Sequence, residues 1–88
     1  MPAAAPASLT VRVLLFASYA EGLGLETLEL TLPSSATIGT VVNHLRSLPG
    51  GHQLPPKPLC ARNLAHASPE EPVADGDEIA ILPPLAGG

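Results

Sequence analysis

At Pro33 the hydrophobic period of this chain changes from two to 3.6, and that switch restricts the fold more than any other feature of the sequence. Upstream, the run Leu9 to Phe16 (LTVRVLLF) sets Leu9, Val11, Val13 and Leu15 on one face, and Leu28, Leu30 and Leu32 alternate with Thr27, Glu29 and Thr31. Each run reads as a half-buried strand. Between them Ser18 to Gly24 (SYAEGLG) carries two glycines and predicts a turn, so the strands form an antiparallel hairpin. Pro33 stops the second strand. Beyond it Ile38, Val41, Val42, Leu45 and Leu48 follow the i, i+3, i+4, i+7, i+10 spacing of one helical face. Thr37 is the expected N-cap. Thr40, three positions on, is not the Glu or Gln of a capping box, so none is expected. Pro49, Gly50 and Gly51 end the helix.

From His52 to Pro58 (HQLPPKP) three prolines predict an exposed loop without regular structure. A short third strand is expected over Leu59 to Asn63, and Ala65 to Asp77, with Pro69, Pro72 and Asp75-Gly76, reads mostly as turn. Glu78 to Leu82 (EIAIL) is a last strand, closed by Pro83 and Pro84. This order implies an α+β domain over residues 9–82, with one main helix packed on one face of a mixed sheet. Residues 1–8 (MPAAAPAS) read as a flexible extension, not a targeting segment, and residues 83–88 as a flexible tail. Periodicity alone leaves the pairing of the first and last strands open.

Charge narrows the function. The chain has 88 residues, a net charge of −4 and only four basic side chains, Arg12, Arg46, Lys57 and Arg62, which draw no stripe able to release counterions from a nucleic acid. Phe16 and Tyr19 are its only aromatics, too few for base stacking. Hydrophobic residues make up 45% of the chain, enough to fold and to leave apolar surface for a protein partner. No apolar run approaches the ~18 residues that would span a bilayer. The single cysteine, Cys60, has no internal disulfide partner, which fits a reducing, cytoplasmic setting.

The usual carriers of chemistry are missing. His44, His52 and His66 match no metal-ligand spacing and read as solvated, and Glu70, Glu71, Asp75, Asp77 and Glu78 lack the ligand order of a calcium loop. What remains is the end, Leu82-Pro83-Pro84-Leu85-Ala86-Gly87-Gly88. Prolines do not donate to a sheet ladder, so Pro83 and Pro84 force the backbone out of the sheet and hold it extended. At about 3.3 Å per residue, Pro83 to Gly88 reaches about 20 Å. Gly87 and Gly88 have no Cβ, so this arm fits a channel too narrow for side chains. Such a terminus makes sense if its carboxylate works inside another protein. By alternation Ile79 and Ile81 face the core while Ala80 and Leu82 face outward, an apolar patch beside the tail root.

The segment Asp75 to Gly88 (DGDEIAILPPLAGG) resembles the end of the molybdopterin synthase small subunit family. Val11 to Gly24 (VRVLLFASYAEGLG) and Leu32 to Leu45 (LPSSATIGTVVNHL) are similar to the corresponding early parts of that family. The resemblance implies a ubiquitin-like β-grasp fold, with the first and last strands parallel. It implies that Gly88 is adenylated and converted to a thiocarboxylate, with Gly87 its narrow neighbour, and that the sulfur goes to precursor Z. The carrier itself binds no cofactor and is not an enzyme; ATP is consumed by an E1-like adenylating enzyme. The other implied partner is the large synthase subunit, in a heterotetramer, with catalysis on that subunit. Ala80, Leu82, Pro83, Pro84, Leu85, Ala86 and Cys60 are the expected partner-binding residues.

Cys60 enters that set through Arg62. An unpaired Arg62 does not go into the core, so it is expected to face outward. Alternation then sends Cys60 outward and Leu59 and Ala61 inward; the alternative is that Cys60 fills the core as a small hydrophobe. Three other functions share the sequence: a sulfur carrier for thiamine, cysteine or tRNA thiolation, a ubiquitin-like modifier of lysines, and a plain interaction module.

Overall fold

The computed structural model describes residues 8–84. Within them the order is β1 (Ser8–Leu15), α1 (Ala17–Leu23), β2 (Thr27–Pro33), α2 (Ile38–Arg46), a 3₁₀ turn (Gly51–Gln53), β3 (Leu59–Arg62), β4 (Ala65–Ala67) and β5 (Glu78–Leu82). The strands form one mixed sheet in the order β2-β1-β5-β3-β4. β1 and β2 pair antiparallel, with Val11 opposite Leu30 and Leu9 opposite Leu32. β5 lies parallel to β1, Val13 beside Ile79 and Leu15 beside Ile81, and antiparallel to β3, Cys60 beside Ile81. The last strand therefore fills the middle of the sheet.

One face of that sheet is covered by α2. Leu9, Val11, Val13 and Leu15 of β1, Leu30 and Leu32 of β2, and Ile79 and Ile81 of β5 are buried against Ile38, Val41, Val42 and Leu45. These are the positions at which the periods of two and 3.6 placed core residues. Burying each such side chain contributes roughly 1.5–3 kcal/mol, so most of the hydrophobic drive resides in this sandwich.

Where the local signal was weak, the structure departs from the expected elements. Ser18 to Gly24 is not a simple turn: α1 forms there, buries Tyr19, and ends on Gly24 at φ 73°, whose N–H bonds the Ala20 carbonyl. α2 does have a reciprocal cap. The Thr37 N–H donates to Thr40 Oγ1 at 3.0 Å while the Thr40 N–H donates to Thr37 Oγ1 at 3.3 Å, so a threonine hydroxyl takes the role of the usual carboxylate or amide. The proline-rich loop begins with the 3₁₀ turn and buries Leu54, whose carbonyl accepts from Arg46 Nε at 3.0 Å. Backbone packs on backbone beside it: a Cβ at Gly50 would overlap the Gly22 carbonyl, and one at Gly51 the Leu45 carbonyl.

Ala65 to Asp77 holds a strand that the sequence reading treated as turn. β4 pairs with β3 across the two-residue turn Asn63-Leu64, in which both residues are left-handed, φ 50° and 74°. Such a turn matches the twist of a hairpin, and Asn accepts it well. Asn63 is also tied across to β5: its side chain donates to Asp77 Oδ1 at 2.9 Å and accepts from the Glu78 N–H at 2.9 Å.

Asp77 is the one buried charge among the described residues. Burial alone would raise its carboxyl, but Arg62 Nε at 2.6 Å, the Ala74 N–H at 2.7 Å and Asn63 outweigh that and hold it below its ordinary 3.8. A carboxyl whose folded value is depressed stabilises the fold above its unfolded value and loses that stabilisation as pH falls through the folded one. Asp77→Asn is therefore expected to lower the melting temperature by several degrees at pH 7. The gap to the native chain should close as pH falls below 3.8, where the native carboxyl also becomes neutral. Melts recorded from pH 7 to pH 2 check this; a gap that widens in acid would contradict it.

Candidate functional site

β5 carries the tail. Its two isoleucines are fully buried, which locks the strand between β1 and β3 and fixes where the chain leaves the sheet. Ala80 and Leu82 lie on the other face and are half-buried, as alternation placed them. Pro83 is half-buried and Pro84 exposed at the strand's exit, ending the ladder after Leu82. Leu85, Ala86, Gly87 and Gly88, the remaining residues of the expected site, lie outside the described residues.

The face opposite α2 is apolar around this exit. Leu14 of β1 and Ala61 of β3 flank Ala80, and Leu59 stands directly opposite Leu82. Leu59 is 48% exposed. Phe16, one residue beyond the Leu15–Ile81 pair, leaves β1 level with Leu82 and is 44% exposed. Two of the four large exposed hydrophobics among the described residues thus flank Leu82. Farther along the sheet the face turns polar, with Arg12 between Glu29 and Glu78.

Cys60 does not belong to this face. It is 2% exposed, beside Ile81 in the core, with Leu59 outward in its place. The reason is Arg62. Its guanidinium lies on the same side of β3 as Cys60, but it is paired with Asp77 at 2.6 Å and Glu71 at 3.2 Å at the end of the sheet, so it needs no outward path to water. The phase expected for β3 is therefore reversed, and the alternative in which Cys60 fills the core is the correct one. Burial pushes its thiol up to about 11, so it is not a thiolate at neutral pH and is a poor nucleophile. Leu59 and Phe16 were missed as patch residues. Leu59 followed the wrong phase of β3, and Phe16 was read only as a strand end.

His44, His52 and His66 are all exposed, and no group of three or more potential metal ligands forms among the described residues. No helix among them is long and apolar enough to cross a membrane. What the geometry offers is a buried central strand, a proline exit and an apolar strip beside it.

Comparison with known proteins agrees with that arrangement. The ThiS family model matches residues 13–88. No curated protein matches the sequence. Among solved structures, SAMP1 from Haloferax volcanii is 28% identical, with 90% of this chain and 99% of that one covered and a TM-score of 0.77. A chain of the protein–protein complex of subunits 1 and 2 of molybdopterin-converting factor from Helicobacter pylori is 22% identical over 91% of this chain and 100% of that one, TM-score 0.67. The Caldiarchaeum subterraneum ubiquitin is 22% identical over 92% and 99%, TM-score 0.63. The last two likenesses establish the ubiquitin-like β-grasp fold, with β1 and β5 parallel at the sheet centre. Because the family match runs from the middle of β1 through the whole tail, the chain belongs to the ThiS family, the ubiquitin-like sulfur carriers.

Proposed function

We propose that this carrier delivers sulfur to molybdopterin as the small subunit of a molybdopterin synthase, with Gly88 as the carboxyl that bears the sulfur. The observation that carries the reading is the exit of β5: a buried central strand runs through Pro83-Pro84 into Leu-Ala-Gly-Gly, beside the apolar strip of Phe16, Leu82 and Leu59. A carboxylate is a poor electrophile. Adenylation by an E1-like enzyme gives it a leaving group, a sulfur nucleophile then displaces AMP, and the thiocarboxylate is a soft sulfur donor for precursor Z. None of these steps asks for a base or nucleophile on the carrier, so catalysis falls to the large subunit and ATP to the activating enzyme. The complex of subunits 1 and 2 of the Helicobacter pylori factor supports a large-subunit partner.

Leu82→Asp tests the docking strip and Ile81→Asp controls for the fold. Leu82→Asp should weaken binding to the large subunit at least tenfold and cost under about 1 kcal/mol of stability. Ile81→Asp buries an unpaired carboxylate and should cost on the order of 4 kcal/mol or more. Titration calorimetry and melts of both variants decide it; an unfolded Leu82→Asp with a stable Ile81→Asp would reverse the two faces.

A second reading, a modifier joined to lysines of other proteins, is favoured by the likeness to SAMP1. Intact-mass analysis of the chain from cells with and without a working molybdenum-cofactor pathway separates the two. A thiocarboxylate at Gly88 that yields molybdopterin with the large subunit and precursor Z is the expected result. A thiocarboxylate that yields none moves the carrier to another thiolation pathway, and Gly88 found on lysines of other proteins would favour the modifier.

A further inference from the structure

The chain contains one Asp-Gly step, Asp75-Gly76, and no Asn-Gly step. An aspartate followed by glycine is prone to isoaspartate formation, because no side chain on the glycine hinders attack by its own nitrogen. Here the step occupies the middle of a turn. The Asp77 N–H donates to the Ala74 carbonyl at 3.1 Å, and Gly76 lies at φ 86° while the φ of Asp75 is not positive. That is a type II turn, in which the residue before the glycine has ψ near about +120°. Asp75 and Gly76 are both exposed, so exclusion of water does not protect them. Thr10 of β1 holds them instead. Its N–H donates to Asp75 Oδ1 at 2.7 Å, and its carbonyl accepts from the Gly76 N–H at 2.8 Å. The backbone of one residue thus binds both the electrophilic carboxyl and the nucleophilic nitrogen.

We propose that Asp75-Gly76 is an isoaspartate-forming site that Thr10 keeps closed while β1 and the turn are paired, so that the modification accumulates only when this end of the sheet opens. The reaction needs no enzyme and no co-reactant but water. The Gly76 nitrogen attacks Cγ of Asp75 in its carboxylic acid form, a C–N bond forms, the nitrogen gives up its proton, and the hydroxyl leaves as water. Water then adds to the main-chain carbonyl carbon of Asp75, and the bond from that carbon to the Gly76 nitrogen breaks. The chain now runs through the side chain of residue 75, one carbon longer, and the old main-chain carbonyl is a carboxylate. Ring closure requires the Gly76 nitrogen to eclipse Cβ about the Cα–C bond of Asp75. For an L residue that places ψ near about −120°, a rotation of about 120° from the turn's value. The rotation swings the Gly76 N–H away from the Thr10 carbonyl. The added carbon lies two residues before Asp77, whose carbonyl accepts from the Arg12 N–H at 2.9 Å and whose carboxylate holds Arg62 and Asn63. A modified chain no longer places Asp77 for all of these partners, so one opening, once recorded, favours the next.

The test uses the full chain, held at neutral pH, digested at intervals, and assayed for isoaspartate at residue 75 by chromatography and electron-transfer fragmentation. The folded native chain should form it roughly tenfold or more slowly than the same chain unfolded in denaturant. Thr10→Ala keeps both backbone bonds and should match the native rate. The Thr10 N–H goes to Asp75, not to β2, so Thr10→Pro removes that bond without taking one from the β1–β2 ladder. Below its melting temperature Thr10→Pro should form isoaspartate several-fold faster than Thr10→Ala. In the native chain the rate should also rise with denaturant in step with amide exchange at Gly76, a relation that stands whether or not Thr10→Pro folds. Equal rates in the folded and unfolded native chain would overturn the proposal. So would a folded Thr10→Pro no faster than Thr10→Ala, or isomerisation that rises without exchange at Gly76.

Discussion

Deleting Gly88, or adding one residue after it, is expected to reduce sulfur transfer to background while the melting temperature stays where it was. In the proposed function the reactive group is the carboxyl of Gly88, so a deletion or an added residue displaces that group by about 3.3 Å along the arm. Displacements of about 1 Å already cost on the order of a hundredfold when a reaction depends on near-attack geometry. In the extended chain the former carboxyl is also an amide, which no adenylating enzyme can activate. The fold has no reason to respond, because the β5 ladder ends at Leu82 and its anchors are Ile79 and Ile81. A reconstituted synthase assay, run beside thermal melts of the three chains, measures both halves of the expectation. Transfer retained by the extended chain would remove Gly88 from the mechanism.

Gly50→Ala has the opposite signature, a large loss of stability without any change to the tail. Gly50 sits at φ 85°, and a Cβ there would overlap the carbonyl of Gly22 at the end of α1. Left-handed strain and overpacking each cost about 1–3 kcal/mol, so the sum is on the order of 3 kcal/mol or more. For a domain of this size that lowers the melting temperature by roughly 15 °C. Gly24→Ala is the control. Gly24 also has positive φ, 73°, but nothing lies within 4 Å of its missing Cβ, so only the backbone term applies. Its expected loss is about 1 kcal/mol. If the two variants melt together, the approach of Gly50 to Gly22 is not what holds α1 against the 3₁₀ turn.

The contrast between these glycines indicates how much could be read from the sequence. β1, β2, α2 and β5 were legible because each repeats its period several times and is bounded by proline or glycine; for β5, Ile79, Ile81 and Pro83 fixed both phase and end. α1 was not legible. It has seven residues, two of its neighbourhood's signals are glycines, and what holds it is Tyr19 in the core and the approach of Gly50 from a distant segment. β4 is three residues long, and its hairpin places Leu64, 93% exposed, at a left-handed position where sequence rules look for glycine. The phase of β3 failed for a non-local reason: the partner of Arg62 is Asp77, fifteen residues later, and until that pair is known the arginine points to water. On the candidate site, Ala80 and Leu82 followed from alternation. Cys60 had to be exchanged for Leu59, and Leu85, Ala86, Gly87 and Gly88 rest on the sequence and the family match.

The place of β5 in the sheet has a consequence for quality control. Among the described residues the β1–β2 and β3–β4 ribbons have no ladder between them, and β5 is the only strand that joins them. A molecule in which residues 78–82 are cleaved, miscoded or still missing is left with two hairpins and two raw edges, neither stable alone and both open to proteases. The intact outer surface, with Leu14, Ala80 and Ala61 in one row and Leu82 beside Leu59 in the next, exists only once β5 has been inserted. A protein that recognises this surface therefore inspects the root of the tail in the same act.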